Sequence, residues 1–150
     1  MRILIDEDTA VQLVDPLKHV LVGHEVKHIA HLSWKGKKDR QVLPDAKGAG
    51  YHVLITRDRA QLSDPAECDA IKKSGLHHVR YKQGTGARGL ALALASVIAA
   101  MPMVAEELDK ASGQRLVLVS AIDPHRRLAR QRRQRTPAVI RPLSAAPGLP

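Results

Sequence analysis

Short apolar runs alternate along the chain with longer segments whose apolar residues recur at a helical period. The runs predict five strands, at residues 1–5, 24–29, 51–56, 76–81 and 115–122. The segments between them predict helices at residues 9–22, 40–47, 65–74 and 90–110. Strands that alternate with helices are typical of an α/β fold, with a mostly parallel sheet covered by helices on both faces.

Several residues predict where these helices begin, bend or end. Pro16 and Pro102 predict a kink or a break inside the first and the last helix. Asp64 and Gly75 predict the start and the end of the third helix, and Asp39 predicts an N-terminal cap for the second.

Three consecutive acids, Asp6, Glu7 and Asp8, follow the first predicted strand directly. Residues at the carboxyl end of a buried strand lie where open α/β sheets bind their ligands. Adjacent carboxylates repel one another unless a cation or a basic partner neutralises them. The acids therefore favour a binding site, and the alternative is a strand-to-helix turn in which Asp8 caps the helix.

The charge of the chain favours a polyanion such as nucleic acid as its partner, because the formal net charge is +9. Seven of the 24 basic residues lie in residues 124–150, which contain no acid, so 17 basic residues face 15 acids in residues 1–123. We therefore expect a nearly neutral domain at 1–123 and a basic Arg/Pro-rich tail at 124–150 that is disordered or ordered by a partner.

Other features of the composition narrow the classes of protein. Cys68 is the only cysteine, which excludes an intramolecular disulfide framework and favours the cytoplasm. The longest apolar run, 90–105, contains Ser96 and Pro102 and falls short of a membrane span, so we expect a core or interface helix and no membrane partner. With three aromatic residues, the chain is a poor candidate for stacking bases.

Three acids could meet at one edge of the predicted sheet: Asp6 after the first strand, Asp39 at the second helix and Asp58 after the third strand. Grouped carboxylates suit Mg²⁺ or Mn²⁺, which prefer oxygen ligands and can activate a water for attack on a phosphodiester. The alternative is that Asp39 is only a helix cap and Asp58 only a turn residue.

Four sequence motifs follow one another within residues 1–80. They are the strand ending in Asp6-Glu7-Asp8, the sequence Gly23-His24-Glu25-Val26, the segment with Trp34, Gly36 and Asp39, and Val53-Leu54-Ile55-Thr56-Arg57-Asp58. Together they resemble PIN-like ribonuclease domains of the subgroup with a His-Glu-Val second strand. These domains are small metal-dependent nucleases found as toxins of bacterial toxin–antitoxin pairs.

The resemblance implies a three-layer α/β/α PIN-like fold that binds Mg²⁺ or Mn²⁺ through Asp6, Asp39 and Asp58. It also implies that RNA is the substrate, that Glu7 and Asp8 support the first acid, and that an antitoxin protein neutralises the activity. A homodimer through the Ala-rich helix is a further expectation. The chain departs from many relatives at Ala60-Gln61, where they carry an acid or Asn. A catalytically decayed RNA-binding module that uses the Arg-rich tail is therefore the alternative.

Basic residues near the acids predict contacts with RNA phosphates: Lys35, Lys37, Lys38, Arg57 and Arg59. The alternative is a solvated lysine loop. The sequence Gly84-Thr85-Gly86-Ala87-Arg88-Gly89 matches a dinucleotide-binding pattern, but no strand about 20 residues later ends in an acid, so a glycine turn is the favoured interpretation. His24, His28 and His31 are expected to be solvated, and Trp34 to pack against the core.

Overall fold

The fold is a parallel five-stranded sheet with the strand order β2-β1-β3-β4-β5. The computed structural model describes residues 1–34, 36–37, 39–57 and 64–125, except for the side chains of Asp39 and Arg40. The strands are β1 Arg2–Ile5, β2 Glu25–His28, β3 Val53–Arg57, β4 His77–Tyr81 and β5 Leu116–Val119. The helices are α1 Val14–Val20, α2 Asp39–Gly48, α3 Pro65–Ser74 and α4 Gly86–Asp109.

Each face of the sheet carries its own hydrophobic core, as strand alternation requires. Ile3 and Ile5 of β1 point to the face covered by α1 and α4, whereas Leu4 points to the face covered by α2 and α3. All three side chains are fully buried. The prediction of a three-layer α/β/α fold with a parallel sheet is therefore confirmed.

The ends of α3 agree with the prediction. Asp64 Oδ1 accepts a hydrogen bond of 2.9 Å from the backbone N–H of Ala66, which caps the helix. Gly75 ends the helix with a φ of +66°, a left-handed conformation that glycine adopts without steric cost.

The predicted division of the first helix is confirmed, whereas the predicted interruption of the last helix was wrong. The first helical segment consists of the 3-10 helix Val11–Leu13 and α1, and Pro16 lies in the first turn of α1, where its missing N–H would have no partner within that helix. Pro102 is exposed and lies inside α4, which continues through it from Gly86 to Asp109.

The helix α4 is longer than the apolar run from which it was predicted. By length and composition it could cross a membrane, with a mean hydropathy of 1.8 in its most apolar window, and it is the one such helix among the described residues. Helices in protein cores pass the same test, and α4 packs against the sheet through buried residues that include Val97 and Met101.

The crossover from β4 to β5 has the opposite hand to the other three. The chain runs from β1 to β2 in one direction across the sheet and from β4 to β5 in the other, yet α1 and α4 cover the same face. Such crossovers are right-handed in about 98% of cases, so the last one departs from the rule. As a result α4 covers Val117 and Val119, while Leu116 and Leu118 on the other face of β5 are each 56% exposed.

The glycine-rich segment after β4 requires one of its glycines for close packing. A Cβ on Gly89 would collide with the backbone of Gly84, so the turn that leads into α4 requires glycine at this point. This gives the pattern a structural role, in agreement with the glycine turn that the sequence favoured.

Candidate functional site

The candidate site lies between the carboxyl ends of β1 and β3. From β1 the chain crosses to β2 on one side and then returns to β3 on the other, so β1 and β3 flank the point where the strand order reverses. In open parallel sheets the crevice at this point is where ligands bind. Asp6 follows β1 here, and its backbone N–H donates a hydrogen bond of 2.9 Å to the carbonyl of Ile55 in β3.

The carboxylate of Asp6 is held by a donor on each oxygen. The hydroxyl of Thr56 in β3 donates to Oδ2 at 2.8 Å, and the backbone N–H of Glu7 donates to Oδ1 at 2.8 Å. The half-buried Asp6 side chain is thus oriented by its neighbours, as are carboxylates that bind metal ions.

The residues after Asp6 form a short acidic turn, defined here as Asp6–Thr9. The backbone N–H of Thr9 donates to the carbonyl of Asp6 at 3.0 Å and closes the turn. The side chains of Glu7 and Asp8 are exposed. The turn therefore presents three carboxylates at the carboxyl edge of the sheet.

Asp8 does not cap a helix. The 3-10 helix that follows, Val11–Leu13, has Ala10 at its N-cap, and α1 has Leu13; neither side chain makes a capping bond. The alternative interpretation of the acids as a strand-to-helix cap was therefore wrong.

Glu7 connects the acidic turn to the loop that precedes α2. Its Oε2 accepts a hydrogen bond of 3.1 Å from the backbone N–H of Gly36, whose φ of +81° favours glycine. Asp39 is the first residue of α2, three residues further along. The segment that leads to the second predicted acid, Asp39, thus contacts the acidic turn.

The side chains of the other two predicted ligands, Asp39 and Asp58, lie outside the described residues. Asp58 follows the last residue of β3 and, like the Asp39 side chain, lies outside the described part of the chain. So do Lys35, Lys38, Arg59 and the pair Ala60-Gln61. Within the described ranges, no three His, Cys, Asp or Glu side chains lie close enough together to hold a metal ion. A site with three ligands therefore depends on the side chains that are not described.

Three described cations lie on or near this edge. Lys37 Nζ is 2.6 Å from Asp45 Oδ2 and 5.2 Å from the centre of the Trp34 ring. Arg57 is the last residue of β3, and Arg80 of β4 is paired with Thr56 in the sheet. Because paired residues share a face, Arg80 lies on the same face as Thr56, a placement that the sequence analysis did not consider.

The expectation that the histidines are solvated was wrong for His28. Its side chain is 2% exposed, and its Nε2 lies 2.8 Å from the carbonyl oxygen of Thr9. The expectation for Trp34 is confirmed, since the ring packs against the core and meets Tyr51 edge-on at 6.3 Å.

Ionisable groups with shifted pKa values lie away from the acidic turn. A side-chain hydrogen bond from Arg2, and a second from Lys27, hold the pKa of Glu25 at about 2 near the amino end of β2. Burial lowers the pKa of His78 in β4 to about 4, and the charge of Arg80 adds to this effect. His78 is therefore uncharged at neutral pH.

The structure adds Thr56, His28 and Gly36 to the residues that shape the site. Thr56 and Gly36 belong to the motifs that carry the family resemblance, but the sequence analysis gave them no role. The signal that was available is a polar residue at the carboxyl end of a predicted strand, which both Thr56 and His28 satisfy.

Comparison with family models finds that residues 1–83 match the family described as PIN like domain. The matched segment spans β1 to β4 and includes the acidic turn, His28 and Thr56. Comparison with curated proteins and with solved structures finds no match. PIN-like domains are typically nucleases and generally use divalent metal ions. Because the matched residues make up more than half of the chain and fold into the parallel α/β sheet described above, the chain belongs to the PIN-like domain family.

Proposed function

We propose that the chain is a metal-dependent endoribonuclease whose central metal ligand is Asp6. The observation that carries the proposal is the fixed carboxylate of Asp6 at the strand-order reversal, oriented by Thr56 and by the Glu7 N–H. An oriented carboxylate beside two further exposed carboxylates suits a hard divalent cation such as Mg²⁺ or Mn²⁺.

Asp39 and Asp58 would complete the set of ligands, with Glu7 and Asp8 in supporting roles. Two observations support this assignment: Asp58 follows β3 at the edge that Thr56 reaches, and the loop before Asp39 is bonded to Glu7. When bound, the cation would supply an activated water and offset charge on the phosphodiester. The protein's own contribution is to hold the carboxylates in place before the substrate arrives.

The substrate we propose is RNA, with phosphates contacted by Arg57 and Arg80 and by the basic residues around the second helix. A net charge of +9 supports a polyanionic substrate, and the choice of RNA rests on the resemblance to ribonucleases.

The direction in which the chain leaves the domain supports a role for the Arg-rich tail. Ile122 N–H donates to Ser96 Oγ at 2.9 Å, and His125 lies 2.7 Å from Arg88 in the first turns of α4. Helix α4 begins at the carboxyl edge of the sheet, directly after β4. The last described residue, His125, therefore lies near the start of α4, and we propose that the seven arginines that follow it in the sequence add phosphate contacts to those of the domain.

The test compares Asp6→Asn with wild type on structured RNA in the presence of Mg²⁺, Mn²⁺ or EDTA. We expect wild type to cleave only with metal, and Asp6→Asn to lose at least 100-fold in rate, on the order expected for removing a charged ligand. Asp109→Asn is the matched control, because Asp109 is exposed at the other end of α4. Cleavage that persists in Asp6→Asn, or in EDTA, would refute the proposal.

The second candidate function is a catalytically decayed RNA-binding module. It is favoured by the concentration of seven arginines in residues 124–150 and by Ala60-Gln61 in place of the polar residues of many relatives. Replacing these seven arginines with glutamine in the full chain separates the two functions. Loss of RNA binding in a chain whose wild type never cleaves would establish the binding module.

We further propose that the nuclease acts in the cytoplasm as the toxin of a toxin–antitoxin pair. Support comes from the resemblance of the motifs to such toxins. Expression of wild type should arrest growth, expression of Asp6→Asn should not, and co-expression of the antitoxin should restore growth. Growth arrest by both forms would count against a toxic nuclease.

We also propose a homodimer, and the exposed leucines of β5 support this strand as its surface in place of the Ala-rich helix. As an edge strand with Leu116 and Leu118 exposed, β5 can pair with a second copy about an axis at Val117, which brings four leucines together. Light scattering should report twice the mass of 16.4 kDa for wild type and 16.4 kDa for Leu118→Lys. The same mass for both proteins would exclude this surface.

A further inference from the structure

His28 is a buried polar residue that the proposed chemistry does not use. It is the last residue of β2, is paired with Ile5 of β1, and has a side chain that is 2% exposed. Burying an imidazole is unfavourable unless both ring nitrogens find partners. Its partners therefore indicate what the residue does.

Both nitrogens of His28 are bonded to backbone groups. The N–H of Ala30 donates to Nδ1 at 2.9 Å, so Nδ1 must accept. The proton of the neutral ring is therefore on Nε2, which donates to the carbonyl of Thr9 at 2.8 Å. The bond from Ala30 thus fixes the tautomer of the ring, and this tautomer allows Nε2 to donate to Thr9.

The bond to Thr9 reaches the acidic turn. Thr9 closes that turn through its own N–H, which is bonded to the carbonyl of Asp6 at 3.0 Å. His28 holds the last residue of the turn from the side of β2, whereas Thr56 holds the Asp6 carboxylate from the side of β3. The turn is therefore fixed at both ends by neighbouring strands.

The bond to Ala30 reaches the second segment of the site. Ala30 belongs to the 3-10 helix Ile29–His31, which begins the connection to α2. Further along this connection, Gly36 is bonded to Glu7 of the acidic turn. A single side chain thus fixes the turn that carries Asp6 and the start of the connection that leads to Asp39.

We propose that His28 is a positioning residue that fixes the acidic turn for binding of a divalent cation. The inference rests on the proposed metal-dependent function and goes beyond it, because it assigns the geometry of the turn to a residue that contacts neither metal nor substrate. Removing partners that orient metal ligands typically weakens metal binding about 10- to 100-fold.

Two substitutions separate the contributions of the two hydrogen bonds of His28. In His28→Asn, Oδ1 lies at the level of the ring Nδ1 and can accept from Ala30, but the bond to Thr9 is lost. In His28→Gln, the longer amide reaches the level of Nε2 and can donate to Thr9. His31→Gln is the matched control, since His31 is exposed and lies three residues away.

The experiment is calorimetric titration of the full-length, metal-free protein with Mn²⁺, with thermal melts to show that each variant is folded. We expect His28→Asn to bind Mn²⁺ about 10- to 100-fold more weakly than wild type, His28→Gln to recover part of the loss, and His31→Gln to match wild type. A residue with only a structural role would lower the melting temperature without separating the two His28 variants in Mn²⁺ affinity.

The possible failures are distinguishable. If wild type does not bind Mn²⁺, the proposed metal-dependent function fails and the inference falls with it. If wild type binds and His28→Asn binds within twofold of it, only the role of His28 is refuted. If His28→Asn does not fold, His28→Gln is compared with wild type instead. Donation to Thr9 is then refuted as the cause if His28→Gln folds but binds Mn²⁺ at least tenfold more weakly than wild type.

Discussion

The hydrogen bond between Thr56 and Asp6 offers a direct test of how the site is held. Thr56→Val removes the hydroxyl and keeps a β-branched side chain of nearly the same shape. Thr56 is paired with Arg80 on one side, and its strand is paired with β1 on the other, so the backbone has little freedom to adjust. The substitution therefore changes the donor to Asp6 Oδ2 and little else.

The expected size of the effect follows from the hydrogen bond that is lost. With Thr56 replaced, the Glu7 N–H at 2.8 Å from Oδ1 remains, but Oδ2 loses the hydroxyl that orients it. A hydrogen bond to a charged group contributes about 1.5–3 kcal/mol. At about 1.4 kcal/mol for each factor of ten, this corresponds to Mn²⁺ binding that is roughly 10- to 100-fold weaker.

Calorimetric titration of metal-free protein with Mn²⁺ measures this effect. Thr56→Ser retains the hydroxyl and should recover most of the affinity. Thr85→Val is the matched control, because Thr85 is exposed before α4 and its side chain makes no capping bond. The reasoning is refuted if Thr56→Val binds Mn²⁺ as tightly as Thr85→Val does.

Two further substitutions test the sheet and the loop before α2. In acid we expect His78→Leu to be more stable than wild type. The pKa of His78 is lowered from 6.5 to about 4, so between these pH values the unfolded chain takes up a proton that the folded chain does not. The free energy of unfolding of wild type therefore falls by roughly 3 kcal/mol as the pH falls through this window. Urea unfolding at pH 7 and pH 4.5 should show a larger loss in wild type than in His78→Leu, which keeps the smaller contribution of His77, whose pKa is also lowered by burial; equal losses would contradict the reasoning. Gly36→Ala should lower the melting temperature by about 2–4 °C, because a φ of +81° costs alanine about 1 kcal/mol and a Cβ there meets no atom within 4 Å. Gly113→Ala, equally open but without a positive φ, should leave the melting temperature unchanged, and a drop in both variants would exclude the conformational explanation.

The elements that the sequence predicted well are those with local signals. Asp64 and Gly75 mark the ends of α3 through contacts within two or three residues, so the sequence contains the whole interaction. The effect of Pro102 was mispredicted because it depends on how much of α4 packs against the sheet. That packing comes from contacts between distant segments.

The same division holds for the site. Asp6 could be predicted because it follows a buried strand, a position that by itself favours a ligand. Thr56 is its partner across 50 residues, and the two meet only because β3 returns to the side of β1 opposite to β2. His28 was expected to be solvated because alternation along β2 does not show that the acidic turn covers its carboxyl end.

The two halves of the chain therefore carry different tasks. The matched family segment ends at residue 83, before α4, and the hydrogen bonds described above for Asp6 and the acidic turn lie within residues 1–56. The part beyond it provides α4, which buries Val97 and Met101 against the sheet, and β5, whose crossover has the opposite hand. That hand leaves Leu116 and Leu118 exposed and brings the last described residues back to the start of α4. Among the described residues, the second half thus stabilises the sheet through α4 and carries the exposed leucines of its last strand.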